Sequence, residues 1–162
     1  MQLVDQCLGL VSGITDDKID RLESALLHMP QSDIKTIHSF LPGIYERTII
    51  VPPWTVLTGA RHKTDYRVRL DKGRIAVSTD DGIKEMCAFL EFPAKAGIRR
   101  VGRVFEDEVI WTDIYDNPDD CKDIEELERR LYEDHPFGMM TNRTTEMLSD
   151  LRVKNQEALC LA

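Results

Sequence analysis

Pro52-Pro53-Trp54-Thr55-Val56-Leu57-Thr58-Gly59-Ala60-Arg61-His62-Lys63-Thr64-Asp65-Tyr66 is the stretch whose reading decides the fold. The two prolines end a strand, because proline has no N–H to give to a ladder. A short β-rich run, Val56 to Thr58, then feeds a turn at Gly59. His62 and Asp65 arrive at the mouth of the next strand. Further Gly-bearing corners follow at Lys72-Gly73, Asp80-Asp81-Gly82 and Pro93-Ala94-Lys95-Ala96-Gly97. From Gly43 to Tyr115 the runs between corners are short, at a spacing of roughly 8–12 residues, which reads as an all-β sandwich or barrel.

Outward from this centre the strands have the period of two expected of a half-buried sheet. Ile44 to Val51 is a strand that Pro52 stops. In Asp65 to Leu70, Tyr66, Val68 and Leu70 share one face while Asp65, Arg67 and Arg69 share the other. Arg74 to Ser78 repeats the pattern with Ile75 and Val77 inward, and Asp81-Gly82 signals a hairpin. Lys84 to Phe92 reads as one strand-like segment. Arg99 to Phe105 and Glu108 to Tyr115 read as a last pair turned at Glu106-Asp107.

The flanks are helical. Ile19, Leu22, Leu26 and Met29 make one apolar face after Asp16-Asp17, and Pro30 stops the helix. Residues 31–42 read as a connecting arm that carries His38. Past Asp116-Asn117-Pro118, Ile124, Leu127 and Leu131 make a narrow stripe, with Glu125–Arg129 and Glu126–Arg130 as favourable pairs four apart. Residues 133–142 read as a linker. A tail helix follows, with Met147, Leu151, Ala158 and Leu161 aligned, too short to stand alone and so expected to dock. The organisation is therefore an N-terminal helix and arm at 1–42, a β-barrel at 43–117 and a helical extension at 118–162.

Composition sets the outer limits. The chain has 162 residues, enough for one domain with decorations, and carries no apolar run of membrane-spanning length. A net charge of −8 opposes general binding to nucleic acid or anionic membranes, since both rest on positive charge. The N-terminus lacks the basic region of a secretory signal, so a cytosolic setting is expected. Cys7, Cys87, Cys121 and Cys160 have no close pair and read as free thiols, with Cys87 a small core residue.

The chain resembles the cupin superfamily, and most of all a group of cupin-like proteins encoded by bacteriophages and prophages. The residues that carry the likeness are His38 with Phe40, Pro42 to Arg47, Thr58 to Thr64, Lys72-Gly73-Arg74, Asp81-Gly82, Gly97 to Arg100, and Glu106-Asp107 with Trp111-Thr112. They span about residues 20 to 132. The resemblance implies a cupin-like β-barrel or jelly roll with an N-terminal helix and C-terminal helical extensions. It also implies a homo-oligomer located in a host bacterial cytoplasm or in a virion. The helical extensions would meet other phage or host proteins.

A metal-binding cupin uses histidines and a carboxylate on inward strands, and that donor set suits Fe, Mn, Ni or Zn. Here His62 and Asp65 stand at such positions, and His38 supplies a third ligand only if its arm folds over the barrel mouth. Tyr66, Phe105 and Tyr115 occupy positions where the phage group often has histidine, and a catalytic metal generally needs three protein ligands. The expectation is a degenerate site with no cofactor; one divalent transition metal is the alternative. His62 then has three readings: a hydrogen-bonded structural residue, a ligand in an unusual metal site, or a polar contact for a small ligand or partner. Tyr66, Phe105, Trp111 and Tyr115 either line an aromatic pocket or fill the core. Arg99, Arg100 and Arg103 either grip a carboxylate or phosphate, with Arg100 the anchor, or pair with surface acids. Two functions follow: a non-enzymatic phage-encoded protein acting by binding, as a virion or accessory component or on a host factor, and a small metal-dependent dioxygenase or isomerase.

Overall fold

Tyr66, Val68 and Leu70 are buried while Arg67 between them is exposed, and this alternation makes one strand of a two-layer β structure. The computed structural model of the protein describes residues 15–79 and 81–134. Nine strands are present among them: β1 (Lys35–Leu41), β2 (Ile44–Val51), β3 (Val56–Thr58), β4 (Tyr66–Lys72), β5 (Arg74–Thr79), β6 (Gly82–Cys87), β7 (Leu90–Ala94), β8 (Val101–Val104) and β9 (Val109–Asp116). Helix α1 (Asp16–Leu27) precedes them and α2 (Ile124–Leu131) follows.

The pairing is nested. β2 pairs with β9, β3 with β8, β4 with β7 and β5 with β6, all antiparallel. This is one long hairpin rolled onto itself, which gives two facing sheets in the orders β1-β2-β9-β4-β7 and β3-β8-β5-β6. Such a double-sheet arrangement is the cupin-like jelly roll. The fold class expected from the sequence is therefore present, as two open sheets rather than a closed barrel.

Four expectations change. The arm at 31–42 contains β1, an added edge strand zipped to β2 from Lys35↔Ile50 to Leu41↔Ile44. The single run from Lys84 to Phe92 is two strands, because the chain crosses from one sheet to the other at Ala88-Phe89. Cys87, expected in the core, is exposed at that crossing. β8 and β9 are consecutive but lie in different sheets, so Glu106-Asp107 carries the chain between layers and does not close a hairpin. Periodicity sees which residues share a face, and it is blind to which sheet receives them.

Side chains from both sheets meet in ranks. Register places Tyr45 opposite Tyr115, Arg47 opposite Asp113, Ile49 opposite Trp111 and Val51 opposite Val109 on the inner face of β2 and β9. Val68, Leu70, Ile75, Val77 and Val104 complete the apolar interior. The β4–β5 corner demands glycine: Gly73 has φ +86°, and a Cβ there would collide with the Glu108 carbonyl.

The helices close the ends. Ile19 buries against the sheets, whereas Met29 lies past the end of α1 and is exposed. Glu23 on the same helix is also buried, because it and Asp20 pair with Arg99. In α2, Asp123 Oδ1 accepts from the Glu126 N–H at 3.1 Å and caps the helix. Glu126 holds both Arg129 and Arg130, while Leu127, Leu131 and the following Tyr132 join the core. The stripe is thus a lid on the interior rather than a free surface. Residues 1–14 and the tail helix expected beyond 145 lie outside the described residues, as does all but the start of the 133–142 linker.

Candidate functional site

His62 is placed by backbone pairing on both sides. Its carbonyl accepts from Gly97 N at 2.8 Å, and it forms an isolated antiparallel bridge with Tyr132. Lys63 N–H donates to the Leu131 carbonyl at 2.7 Å and Glu133 N–H to the Arg61 carbonyl at 2.9 Å. The end of α2 therefore clamps the segment leading into β4, and the imidazole is driven inward. It is 7% exposed.

Inside, the ring lies flat on Tyr66 with centroids 3.9 Å apart, and its edge meets Tyr132. Nδ1 is 3.1 Å from the Tyr115 hydroxyl. That hydroxyl also contacts the Tyr132 hydroxyl at 2.8 Å and donates toward Asp113 Oδ2 at 3.4 Å. Trp111 Nε1–H donates to Asp113 Oδ1 at 2.8 Å. Burial, with Arg100 and Arg47 nearby, lowers the His62 pKa to about 3, so the ring is neutral at physiological pH. Burial raises the Asp113 carboxyl above its ordinary range, opposed by Trp111 and by both arginines. Tyr66 is pushed up to about 12, again by burial first, with the charge of Asp113 adding to it.

These groups stand beside a cavity of about 80 Å³ between the sheets. β2 contributes Ile49 and Val51, β5 contributes Ile75 and Val77, and Val109 and Trp111 come from β9. Leu57, Gly59, Ala60 and Gly102 form the side nearest β3 and β8, and the polar lining consists of His62, Tyr66 and Arg100. Arg100 reaches this position from the residues that lead into β8. Arg99 and Arg100 are held between Gly59, whose N–H donates to the Arg100 carbonyl, and Ser78, whose hydroxyl accepts from Val101 N–H. Consecutive side chains then point opposite ways. Arg99 goes out to Asp20 and Glu23 of α1, and Arg100 goes in. Its Nη1 donates to the Ser78 carbonyl at 3.3 Å, whereas its buried Nε has no hydrogen-bond partner. Arg103, the third of the cluster, lies over Phe105.

The residues singled out in the sequence are therefore only partly gathered. His62, Tyr66, Arg100 and Trp111 line one cavity, and Tyr115 braces His62 from behind. Asp65 is exposed; its carboxylate accepts from Ala96 N–H and Lys95 Nζ and serves the corner before β8. Phe105 lies away from the cavity under the guanidinium of Arg74, with 4.1 Å between them. His38 sits on β1, where Nδ1 is 2.8 Å from the Tyr45 hydroxyl. Among the described residues no three of His, Cys, Asp or Glu converge as metal ligands. The residues do not fit a divalent metal: no trio of ligands surrounds His62 among the described residues, and two guanidinium groups lie within charge range of the ring. Sequence reading missed Arg47, a buried cation on the inner face of β2 opposite Asp113. A charge at an inward position between Tyr45 and Ile49 is the signal that marks it.

No protein-family model and no curated protein matches the chain. Among solved structures it is similar to the Cupin_2 domain of an XRE family transcriptional regulator from Enterobacter cloacae, with 12% identity and a TM-score of 0.45, covering 55% of this chain and 99% of that one. A cupin domain from Bordetella pertussis Tohama I aligns at 15% identity and a TM-score of 0.45, over 55% and 98% of the two chains. A cupin-2 domain-containing protein from Shewanella frigidimarina aligns at 11% identity and 0.43, over 59% and 92%.

Proposed function

We propose that this protein acts by binding, as a metal-free cupin-fold module whose inter-sheet cavity receives a small organic ligand. The observation behind this reading is the engagement of His62. Its Nδ1 faces a tyrosine hydroxyl, its ring is stacked and neutral, and the nearest charges are guanidinium groups. Such surroundings suit a neutral hydrogen-bonding wall and disfavour a dication. The setting belongs to the same proposal: a phage-encoded accessory protein, in a virion or bound to a host factor in the bacterial cytoplasm, assembling as a homo-oligomer. The support for that setting is the resemblance over about residues 20 to 132 and the apolar spacing of the tail.

The test is metal stoichiometry. The full chain, purified without chelator, is offered Fe(II), Mn(II), Ni(II) and Zn(II) in turn, with His62→Ala alongside. Neither protein is expected to retain metal. About one metal per subunit, absent from His62→Ala, would overturn the proposal in favour of a metal-dependent dioxygenase or isomerase. For the setting, removal of residues 143–162 is expected to reduce assembly size by light scattering, and the protein should appear in purified phage particles or in a defined complex with one host protein. An unchanged assembly together with absence from both would remove that part.

A further inference from the structure

We infer that the ligand is a short aliphatic monocarboxylate, its carboxylate held by Arg100 and its hydrocarbon body lying among Ile49, Val51, Ile75 and Val77. The inference rests on the binding reading above and names the class of molecule the cavity takes.

Among the described residues Arg100 contributes the only cation in the cavity lining. A guanidinium has five N–H donors, and an unmatched buried donor is costly. Arg100 uses one of them on the Ser78 carbonyl at 3.3 Å, a long contact, and another on the Tyr66 hydroxyl, while its buried Nε has none. The missing acceptor is therefore on the ligand, and a carboxylate matches the guanidinium fork with two parallel bonds. Neutral His62 and Tyr66 add polar groups without adding charge. Asp113 accepts from Trp111 Nε1–H and from the Tyr115 hydroxyl and lies within charge range of Arg100 without a hydrogen bond to it among the described contacts. Arg47 and Glu128 act on Tyr45 and His38 at the β1 side.

Size and polarity limit the rest of the molecule. The cavity's 80 Å³ is about half of the roughly 150 Å³ that holds a benzene ring, so the body is a chain of about three or four carbons. Apart from Arg100, His62, Tyr66 and Trp111, the lining residues carry no side-chain donor or acceptor for a second polar end. Gly102 keeps that space open, because a Cβ there would press on Ile75 and Leu57.

The experiment uses the protein's two tryptophans. Trp54 is exposed and Trp111 lines the cavity, so the full chain with Trp54→Phe reports the cavity alone. Butyrate and isovalerate are titrated against butyramide and isoamyl alcohol while Trp111 emission and calorimetric heat are followed. The acids are expected to bind, the neutral analogues to bind at least about tenfold more weakly, and Arg100→Gln to remove the difference while Arg100→Lys retains part of it. Acids and neutral analogues binding alike, with Arg100→Gln unchanged, would overturn the carboxylate assignment and leave the binding reading standing. No binding by any of the four overturns the assignment too, and together with stoichiometric metal uptake it overturns the binding reading. Thermal unfolding of each variant establishes that it is folded.

Discussion

Tyr115 Oη lies 3.1 Å from His62 Nδ1, and this contact ties β9 to the segment that enters β4. The same hydroxyl touches Tyr132 and Asp113, so one phenol joins β9, the segment before β4 and the residue that follows α2. Tyr115→Phe keeps the ring stacked between Tyr45 and Tyr66 but leaves three buried polar groups short of a partner. A loss of about 2 kcal/mol in denaturant unfolding is expected. A change below about 0.5 kcal/mol would show that the network relaxes without the hydroxyl.

The acid limb of stability carries the signature of His62. Its pKa is near 3 in the fold and 6.5 unfolded, so between these values the unfolded chain binds the extra proton. The stabilisation is fully present above pH 6.5 and is lost as pH falls toward 3. The Asp113 shift has the opposite sign, since burial raises its pKa in the fold. Comparison with His62→Gln isolates the histidine: the variant's stability should fall less steeply over this window, by about one proton's worth of slope. Parallel curves would mean that the ring titrates freely.

Arg99 is buried against Glu23 of α1 and also pairs with the more exposed Asp20. Glu23→Ala removes the buried carboxylate and leaves Asp20, which is half-exposed, against the guanidinium. Breaking one arm of a buried pair is expected to cost about 2 to 3 kcal/mol and to raise hydrogen exchange in α1 before the sheets. Exchange unchanged in α1 would show that the helix is held by Ile19 and its apolar neighbours alone.

Gly73 and Gly43 both have positive φ, at +86° and +70°. Only Gly73 faces a neighbour that a Cβ would strike; Gly43 has none within 4 Å. Gly43→Ala should cost about 1 kcal/mol from backbone strain, and Gly73→Ala clearly more, about 3 kcal/mol. Equal losses by thermal or denaturant unfolding would put the effect in φ alone.

Much of this fold was legible along the chain. The inward sets Tyr66, Val68, Leu70 and Ile75, Val77 were read from alternation and are buried; the Gly59 and Gly73 corners stand between strands, and Gly82 opens β6. The site was legible in fragments. His62, Tyr66, Arg100 and Trp111 were singled out and share a cavity, while Asp65, at the mouth of the same strand, turns outward to Lys95. Arg47 was passed over although its inward register between Tyr45 and Ile49 marks it, because the face of that strand was not read residue by residue.

What the sequence by itself determined is the local chemistry: which residues bend the chain, which face each strand hides, and where proline and glycine stop it. Those are short-range matters, set by sterics and by the period of each element. Only the tertiary structure decided which strands became neighbours and what the hidden faces enclosed. The nested pairing brought Arg100 before β8 to the same cavity as Trp111 of β9 and Val51 of β2, and α2 closed over His62. Such contacts join residues tens of positions apart through sheet register and layer packing, and no local pattern encodes a distance of that kind.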